Sequence, residues 1–457
     1  MLEIKNKTAL VIGYGISGKA AAEVLVEFGA KKVIISDSKQ EENFSDTAKA
    51  ELNELRALGV ELSLGQQSAK LLTDIDFIII SPAVPKAIPL VQKAEELGIP
   101  VLSEVELAYH LAKAPIIAIT GTNGKTTTTS LIGEIVKTRY TTAGVGGNIG
   151  IPLSKVALTV PADSYLVAEI SSYQMECSTV FRPHIAVMLN LTPDHLVRHG
   201  SMEVYQAMKE KLFQNCTPSD FVVLNYDDPV IRAMSSHTQA KVLYFSQTDE
   251  VEGAYIEQNA ITINDNGRKI KILDIAKLQI KGRHNVENAL AATLASYLAG
   301  VPAEAIAKAL GEFQGVEHRI EFVRKLDGVA YYNDSKATNT DSAIKALEAF
   351  EENIILIAGG DDKLTDLTDF MALVKAKCKG LILIGDAAAR FNEVAINAGV
   401  RNIYLMDYSM PEALTKAREI SAAGDVVLLS PACASFDMYS GFEERGRDFK
   451  KLVMELV

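Results

Sequence analysis

Ile117-Ala-Ile-Thr-Gly121-Thr-Asn-Gly124-Lys125-Thr126 carries an apolar run into a glycine-bounded turn that ends in Lys-Thr, and a threonine-rich helix is predicted from Thr126. Strand, glycine turn and helix in this order form a phosphate-binding loop. Glycines let backbone N–H groups turn onto phosphate oxygens, Lys125 reaches the β- and γ-phosphates, and the Thr126 hydroxyl suits Mg²⁺. The helix N-terminus adds a favourable dipole. A bare Gly-Lys-Thr could be a simple turn; the flanking strand and helix decide for nucleotide binding. The loop is shorter than the usual G-x-x-x-x-G-K-[ST] pattern, because Gly121 lies only three residues before Gly124.

Outward from this loop, the chain alternates strand and helix signals on both sides. Before it, Thr8–Ile12, Lys32–Ser36 and Phe77–Ile80 are apolar strand runs, with a helix over Ser17–Phe28. After it, strands are predicted at Tyr165–Ile170, Ile185–Leu189 and Phe221–Leu224. Short antiparallel strands follow over 242–281, turning at Asp265-Asn266-Gly267, then helices at 284–299 and 303–312. A further alternating unit has strands at Val329–Tyr332, Ile354–Ala358, Leu381–Ile384 and Val426–Leu429. The expectation is an α/β protein of three domains: residues 1–112 with a Rossmann-like parallel sheet, 113–314 as a central P-loop ATPase-type unit, and 315–457 as a second Rossmann-like unit.

The 457 residues have a formal net charge of −12, which argues against a general nucleic-acid binder. Local lysines and arginines can still form a pocket for anionic substrates. The four cysteines, Cys177, Cys216, Cys378 and Cys433, are far apart and form no C-x-x-C pair. A reducing compartment fits this usage. With no signal-peptide core at the N-terminus and no apolar stretch near the ~20 residues of a membrane span, a soluble cytoplasmic protein is expected.

Gly13-Tyr-Gly15-Ile-Ser17-Gly18 follows a strand and opens a helix, and Asp37 ends the next strand. This satisfies the dinucleotide fingerprint and makes an NAD-dependent redox enzyme a competing reading. A nucleotide-sugar diphosphate would satisfy the same loop. The second phosphate loop at Gly121 favours the sugar nucleotide, because hydride transfer has no use for it. Glu169 and the segment Asn190-Leu-Thr192-Pro-Asp194-His195 close two successive strands beside the phosphate loop, which places a carboxylate for Mg²⁺ and a histidine in one site. His195 and His199 have zinc-like spacing but lack a third soft ligand nearby. Lys209 by itself reads as a solvated helical lysine. Cys433 has no partnering base and reads as packing.

Together, Thr120–Thr126, Glu169 with Ser171-Ser-Tyr-Gln174, Asn190–His195, Tyr205-x-x-x-Lys209 and Gly282-Arg-His-Asn285-Val-Glu-Asn288 resemble the ATP-dependent Mur ligases, which build the peptide stem of peptidoglycan. Folylpolyglutamate synthetases share the centre but not the ends. Tyr332-Asn-Asp334-Ser-Lys336-Ala-Thr338-Asn339, Gly359-Gly-Asp-Asp-Lys363 and Ser430-Pro-Ala-Cys-Ala-Ser435 are similar to the branch that adds D-glutamate to UDP-MurNAc-L-Ala. Two departures stand out: Val197 where the family often has aspartate, and Tyr173 in place of a common phenylalanine.

The resemblance implies ATP and Mg²⁺ as cofactors, UDP-MurNAc-L-Ala and D-glutamate as substrates, and a monomer. It implies that Lys125 and the stretch Gly121, Thr122, Asn123, Gly124, Thr126 and Thr127 hold the phosphates, with Asn288 and Arg319 on ATP and Asp334 on its ribose. Thr126 and Glu169 would bind one metal ion, His195 and a carbamylated Lys209 a second. Gly15, Ile16, Ser17, Asp37, Ser38, Lys39 and Asn148 would hold the UDP-sugar; Lys336, Thr338, Lys363, Ser435 and Phe442 would hold D-glutamate. Because these sets lie in three segments, the chemistry requires them to meet.

Overall fold

The computed structural model describes residues 2–65, 67–280, 282–362 and 364–456, without the side chains of Asp46, Thr47 and Asp341. Lys363, expected in the D-glutamate set, lies outside the described residues. Three sheets organise the chain, as the alternating pattern predicts.

The first has five parallel strands, β1 (Thr8–Ile12), β2 (Lys32–Asp37), β3 (Glu61–Leu64), β4 (Phe77–Ile80) and β5 (Val101–Ser103), in the order β3-β2-β1-β4-β5. Strands β1 and β4 are buried on both faces, which is why they read as unbroken apolar runs rather than alternating ones. Strand order reverses at β1 and β4, so the loop leaving β1 opens at a topological switch point, where ligands of open α/β sheets bind.

The second sheet has nine strands: β6 (Ile116–Thr120), β7 (Gly144–Gly147), β8 (Leu166–Glu169), β9 (Ile185–Met188), β10 (Phe221–Asn225), β11 (Lys241–Ser246), β12 (Gly253–Glu257), β13 (Ala260–Asp265) and β14 (Arg268–Asp274). Their order is β14-β13-β12-β11-β10-β9-β6-β8-β7. Strand β6 therefore lies between β8 and β9, and the three carboxyl ends deliver the phosphate loop, Glu169 and Asn190–His195 to one edge. The strands expected to be antiparallel over 242–281 are only partly so: β11 pairs parallel with β10, and β12 parallel with β11. The turn after β11 is gathered by Asp227, which accepts from Gln247 N at 2.8 Å and Thr248 Oγ1 at 2.9 Å, and this redirects the chain. Only β12-β13-β14 form an antiparallel meander. Its Asn266-Gly267 hairpin turn has φ of 52° and 86°, as anticipated.

The third sheet comprises β15 (Glu321–Leu326), β16 (Val329–Asn333), β17 (Ile354–Gly359), β18 (Cys378–Ile384), β19 (Ile403–Leu405) and β20 (Val426–Leu429), ordered β15-β16-β20-β17-β18-β19. All pairs are parallel except β15 with β16. The last strand, β20, inserts between β16 and β17, so three adjacent ends carry Asp334–Lys336, Ser430–Ser435 and Gly359–Gly360.

By compactness the chain divides into two units, residues 1–278 with 286–312, and 279–285 with 313–457. The first two sheets belong to the first unit and the third sheet to the second. All four cysteines are free thiols, and among the described residues no helix is long and apolar enough to cross a membrane.

Candidate active site

Strand β6 ends at Thr120, and the helix Lys125–Lys137 starts four residues after Gly121. Gly124 caps that helix at φ 80°, a left-handed conformation that a side chain disfavours. A Cβ there would sit 2.2 Å from Asn288 Oδ1. Asn288, buried on the helix Arg283–Leu298, presses on the loop and accepts from Thr128 Oγ1 at 3.2 Å. The opposite side of the loop is laced to the end of β9. Thr122 N donates to Asn190 O at 3.0 Å and Asn123 N to Asn190 Oδ1 at 2.7 Å. Thr122 Oγ1 donates to Thr192 O at 3.1 Å and lies 3.1 Å from Tyr205 Oη. The Thr122 and Asn123 amides are thus engaged within the chain. Asn190 and Tyr205, visible in the motifs, were assigned no role from sequence; they are the fasteners of the loop.

Two lysines converge on one carbonyl. Lys125 Nζ donates to Gly121 O at 2.9 Å and Thr122 O at 2.8 Å, and Lys209 Nζ donates to Gly121 O at 2.7 Å. Lys209 is not the solvated lysine its helix alone would make it: it is 2% exposed, on the helix Met202–Gln214. Burial first, and Lys125 second, hold its ammonium well below the usual lysine range, against smaller opposing pulls from Asp194 and Glu169. Its amine is 4.6 Å from the centre of the Tyr205 ring.

Glu169 ends β8, 2% exposed. Its Oε1 accepts from Asn148 Nδ2 at 2.8 Å, while its buried Oε2 has no hydrogen-bond partner among the described residues. An uncompensated buried carboxylate oxygen is costly, and a hard cation is the partner that suits it. Asn148, expected at the UDP-sugar, orients this carboxylate. His195 sits at φ 55°, an unusual left-handed conformation for a non-glycine residue. Its Nδ1 is 3.0 Å from Tyr173 Oη and its Nε2 3.3 Å from Asp194 Oδ2. Burial lowers its pKa, Asp194 opposes this, and Lys125 and Lys209 lower it further. The Tyr173 hydroxyl, absent from phenylalanine, therefore gives His195 a hydrogen bond. His199 faces Ser172 Oγ at 3.0 Å instead of joining His195 in a metal site. Val197 is fully exposed.

At the N-terminal loop, Gly13 has φ 95°, and a Cβ there would meet Val84 Cγ2 at 2.7 Å and Ser81 Cβ at 2.8 Å. Asp37 accepts from Tyr14 N at 2.6 Å and Lys39 N at 2.8 Å, so it shapes the loop. Gly15, Ile16, Ser38 and Lys39 are exposed and Ser17 half-buried. Lys39 Nζ lies 4.8 Å over the Phe44 ring. A cavity of about 430 Å³ opens beside Tyr14, Gly15, Ile16 and Lys155.

In the second unit, Asp334 is buried, accepting from Ser430 Oγ at 2.7 Å and Ile320 N at 3.2 Å. Burial pushes its carboxyl up to about 7. Arg319 stands between two left-handed residues, His318 at φ 66° and Ile320 at φ 44°, and its buried Nε has no hydrogen-bond partner among the described residues. Lys336 N donates to His318 O at 3.0 Å, Thr338 N to Lys336 O at 2.8 Å, and Ser335 Oγ to Phe442 O at 2.8 Å. Ser435 is buried on the loop after β20. Arg445, 1% exposed, ties these pieces together. It donates to Ser335 Oγ and O at 2.9 Å each, to Ala434 O at 2.9 Å and to Cys433 O at 3.1 Å. The sequence reading missed Arg445; its only signal was an arginine on the apolar-facing side of the last helix. Cys433 is buried, its thiol pushed up to about 12, as suits a packing role.

Sequence profiles match across the chain: a Mur ligase MurD-like N-terminal domain over residues 7–103, a Mur ligase middle domain over 119–296, and a Mur ligase glutamate ligase domain over 318–433. The chain is 45% identical over 458 residues to the UDP-N-acetylmuramoylalanine–D-glutamate ligase of Caldanaerobacter subterraneus, covering 100% of both chains. It is 46% identical to that of Thermoanaerobacter sp., with 100% of both covered, and 43% identical to that of Clostridioides difficile, with the same coverage. Its fold is shared with a UDP-N-acetylmuramate–alanine ligase from Thermotoga maritima at a TM-score of 0.59 and 21% identity, over 98% of this chain and 99% of the other. The chain belongs to the Mur ligase family, in the branch of the UDP-N-acetylmuramoylalanine–D-glutamate ligases.

Proposed function

We propose that the protein is an ATP-dependent amide ligase that joins D-glutamate to UDP-N-acetylmuramoyl-L-alanine, a step in building peptidoglycan precursors for cell-wall growth and division. The observation that carries this reading is the convergence of Lys125 and Lys209 on Gly121 O beside the buried Glu169 carboxylate, in a chain alike along its length to such ligases. The L-alanyl carboxylate attacks the ATP γ-phosphorus and displaces ADP, giving an acyl phosphate. The D-glutamate amine then attacks the acyl carbon, loses a proton and displaces phosphate. Both steps bring anions together, so positioning and positive charge do most of the catalysis.

Each residue set has a part in this. Lys125, with the Gly121, Thr122, Asn123, Gly124, Thr126 and Thr127 stretch, Asn288 and Arg319, binds ATP, and Asp334 takes the ribose. Lys125 swings from its loop carbonyls to the phosphates, while Lys209 and His195 line the path of the acyl phosphate. Thr126 and Glu169 would hold one Mg²⁺, His195 and a carbamylated Lys209 another; the ions supply charge neutralisation. The depressed basicity of Lys209 favours the carbamate, since only a neutral amine attacks CO₂, releasing a proton. Gly15, Ile16, Ser17, Ser38 and Lys39 contact the UDP-sugar on a loop shaped by Asp37, with Asn148 reaching it or Glu169. Lys336, Thr338, Lys363, Ser435 and Phe442 bind the amino acid, where a dianion calls for lysines. Domain boundaries fall near 112/113 and 314/315, and the enzyme works as a cytoplasmic monomer.

The test is phosphate release from ATP, Mg²⁺ and UDP-MurNAc-L-Ala with D-glutamate, against L-glutamate, L-alanine and meso-diaminopimelate. Release and a ligated product only with D-glutamate support the reading; release with another amino acid moves the protein to a sister branch. Lys209→Ala abolishes turnover in this account, and normal turnover of that variant, with or without bicarbonate, removes the carbamate. Lys336→Ala raises the KM for D-glutamate; an unchanged value displaces that pocket.

A further inference from the structure

The loop carrying His195 is fastened to the N-terminal glycine loop's neighbour by one side chain. Arg198 Nε donates to Glu176 Oε1 at 2.9 Å and its Nη2 to Glu176 Oε2 at 2.7 Å, a bidentate pair. Both side chains are largely buried, 16% and 14% exposed, so solvent screens the pair less than a surface bridge. The same Nη2 donates to Val84 O at 2.9 Å, and Nη1 reaches Ala83 O at 3.4 Å. The Ser81–Val84 turn, closed by Val84 N donating to Ser81 O at 2.9 Å, is the surface that Gly13 abuts.

On its other side, the guanidinium lies 4.6 Å from the centre of the Tyr173 ring, whose hydroxyl is 3.0 Å from His195 Nδ1. Arg198 N also donates to His195 O at 3.0 Å. The neighbouring Val197 is fully exposed and contributes nothing to this chain of contacts. One planar fork thus touches a carboxylate, two carbonyls and an aromatic face; a lysine lacks the bidentate fork that grips the carboxylate and the planar group that lies over the ring.

We propose that Arg198 is a positioning residue that couples occupancy of the glycine loop by the sugar nucleotide to the placement of His195. This rests on reading the Gly13–Ser17 loop as the UDP-sugar site. A diphosphate on that loop steadies the Ser81–Val84 turn. The turn's carbonyls steady the Arg198 fork, and the fork holds Tyr173, and through it the imidazole. The left-handed His195 backbone, which costs energy to maintain, is the element such a fastening keeps in place.

The experiment uses the full chain as wild type, Arg198→Ala, Arg198→Lys and Glu176→Gln. Two quantities are read: KM for each substrate, and amide hydrogen exchange of residues 192–199 with and without UDP-MurNAc-L-Ala. In wild type the sugar nucleotide slows exchange of that segment. In Arg198→Ala the slowing is lost and the KM for UDP-MurNAc-L-Ala rises roughly tenfold, while that for ATP stays within about twofold. Arg198→Lys behaves like the alanine variant, and Glu176→Gln shows the same change, smaller, should Arg198→Ala not fold. Ligand-induced slowing that persists in the variants with an unchanged KM overturns the coupling. So does a rise of every KM together with faster exchange in the absence of ligand, the signature of general loosening. Absence of slowing in wild type also overturns it. Failure of wild type to make product with D-glutamate overturns the functional reading instead, and the exchange comparison stands without turnover.

Discussion

Two glycine loops leave two parallel strands in the first unit, and they are braced in different ways. The loop after β1 has Gly13 at φ 95° and opens the helix Ile16–Glu27; the loop after β6 has Gly124 at φ 80° and opens the helix Lys125–Lys137. Both set a helix N-terminus at the end of a glycine turn, an arrangement that suits an anion. The first is braced by a carboxylate, Asp37, on the Tyr14 amide, and its exposed residues include Gly15 and Ile16. The second is braced by neutral amides and hydroxyls from Asn190, Thr192, Tyr205 and Asn288, and holds two lysines at one carbonyl. A diphosphate that stays intact needs only amides and a shaped turn. A phosphoryl group in transfer gathers charge that must be neutralised as it develops, so cations cluster where bonds break.

The sharpest way to break this contrast is Lys125→Ala, which should lower turnover by roughly 10³-fold or more while leaving the Kd for UDP-MurNAc-L-Ala within about twofold. A small loss, measured by phosphate release, would make the two loops equivalent.

The acids assigned to the two nucleotides differ as well. Asp37 is satisfied by backbone amides at a strand end, whereas Asp334 is buried with its carboxyl raised from 3.8 to about 7. Below pH 3.8 Asp334 is protonated in both folded and unfolded chains. Between 3.8 and 7 only the unfolded chain ionises, so its contribution to stability is lost as pH rises through about 7. Asp334→Asn should remove that slope, a change on the order of 4 kcal/mol in the wild-type-minus-variant difference across this window. Parallel curves from denaturant titrations at pH 4 to 8 would refute it.

Two alanine substitutions sharpen the comparison further. Gly124→Ala drives a Cβ to 2.2 Å from Asn288 Oδ1, and Gly13→Ala drives one to 2.7 Å from Val84 Cγ2, both at positive φ. The first should raise the KM for ATP and the second that for UDP-MurNAc-L-Ala, each by roughly tenfold and with little effect on the other substrate. Smallest of all is Val197→Ala: the exposed side chain predicts stability within about 0.5 kcal/mol and unchanged turnover.

Much of this was legible in the chain because parallel strands buried on both faces announce themselves. The segments Thr8–Ile12, Phe77–Ile80 and Val426–Leu429 read directly as strands. Gly144–Gly147 did not, since three glycines in four residues have no strand propensity; its place comes from pairing with β8. The parallel course of β11 and β12 was equally hidden, because it depends on Asp227 gathering a turn some twenty residues away.

In the site, motif residues were legible as candidates but their relations were not. Asn148 was expected at the sugar nucleotide and lies on Glu169; Lys209 read as a surface lysine until its helix was packed; Arg445 and Arg198 carried no motif signal of their own.

By itself the sequence determined the α/β class, the two glycine loops and the residue types that suit phosphate, because these rest on local rules: apolar runs, glycines at turns, a lysine at a helix start. Only the tertiary structure decided which donor meets which acceptor. Burial of Lys209, the enclosure of the Glu169 carboxylate and the forks of Arg198 and Arg445 arise between residues distant along the chain, and the desolvation that sets their chemistry exists only once the elements pack.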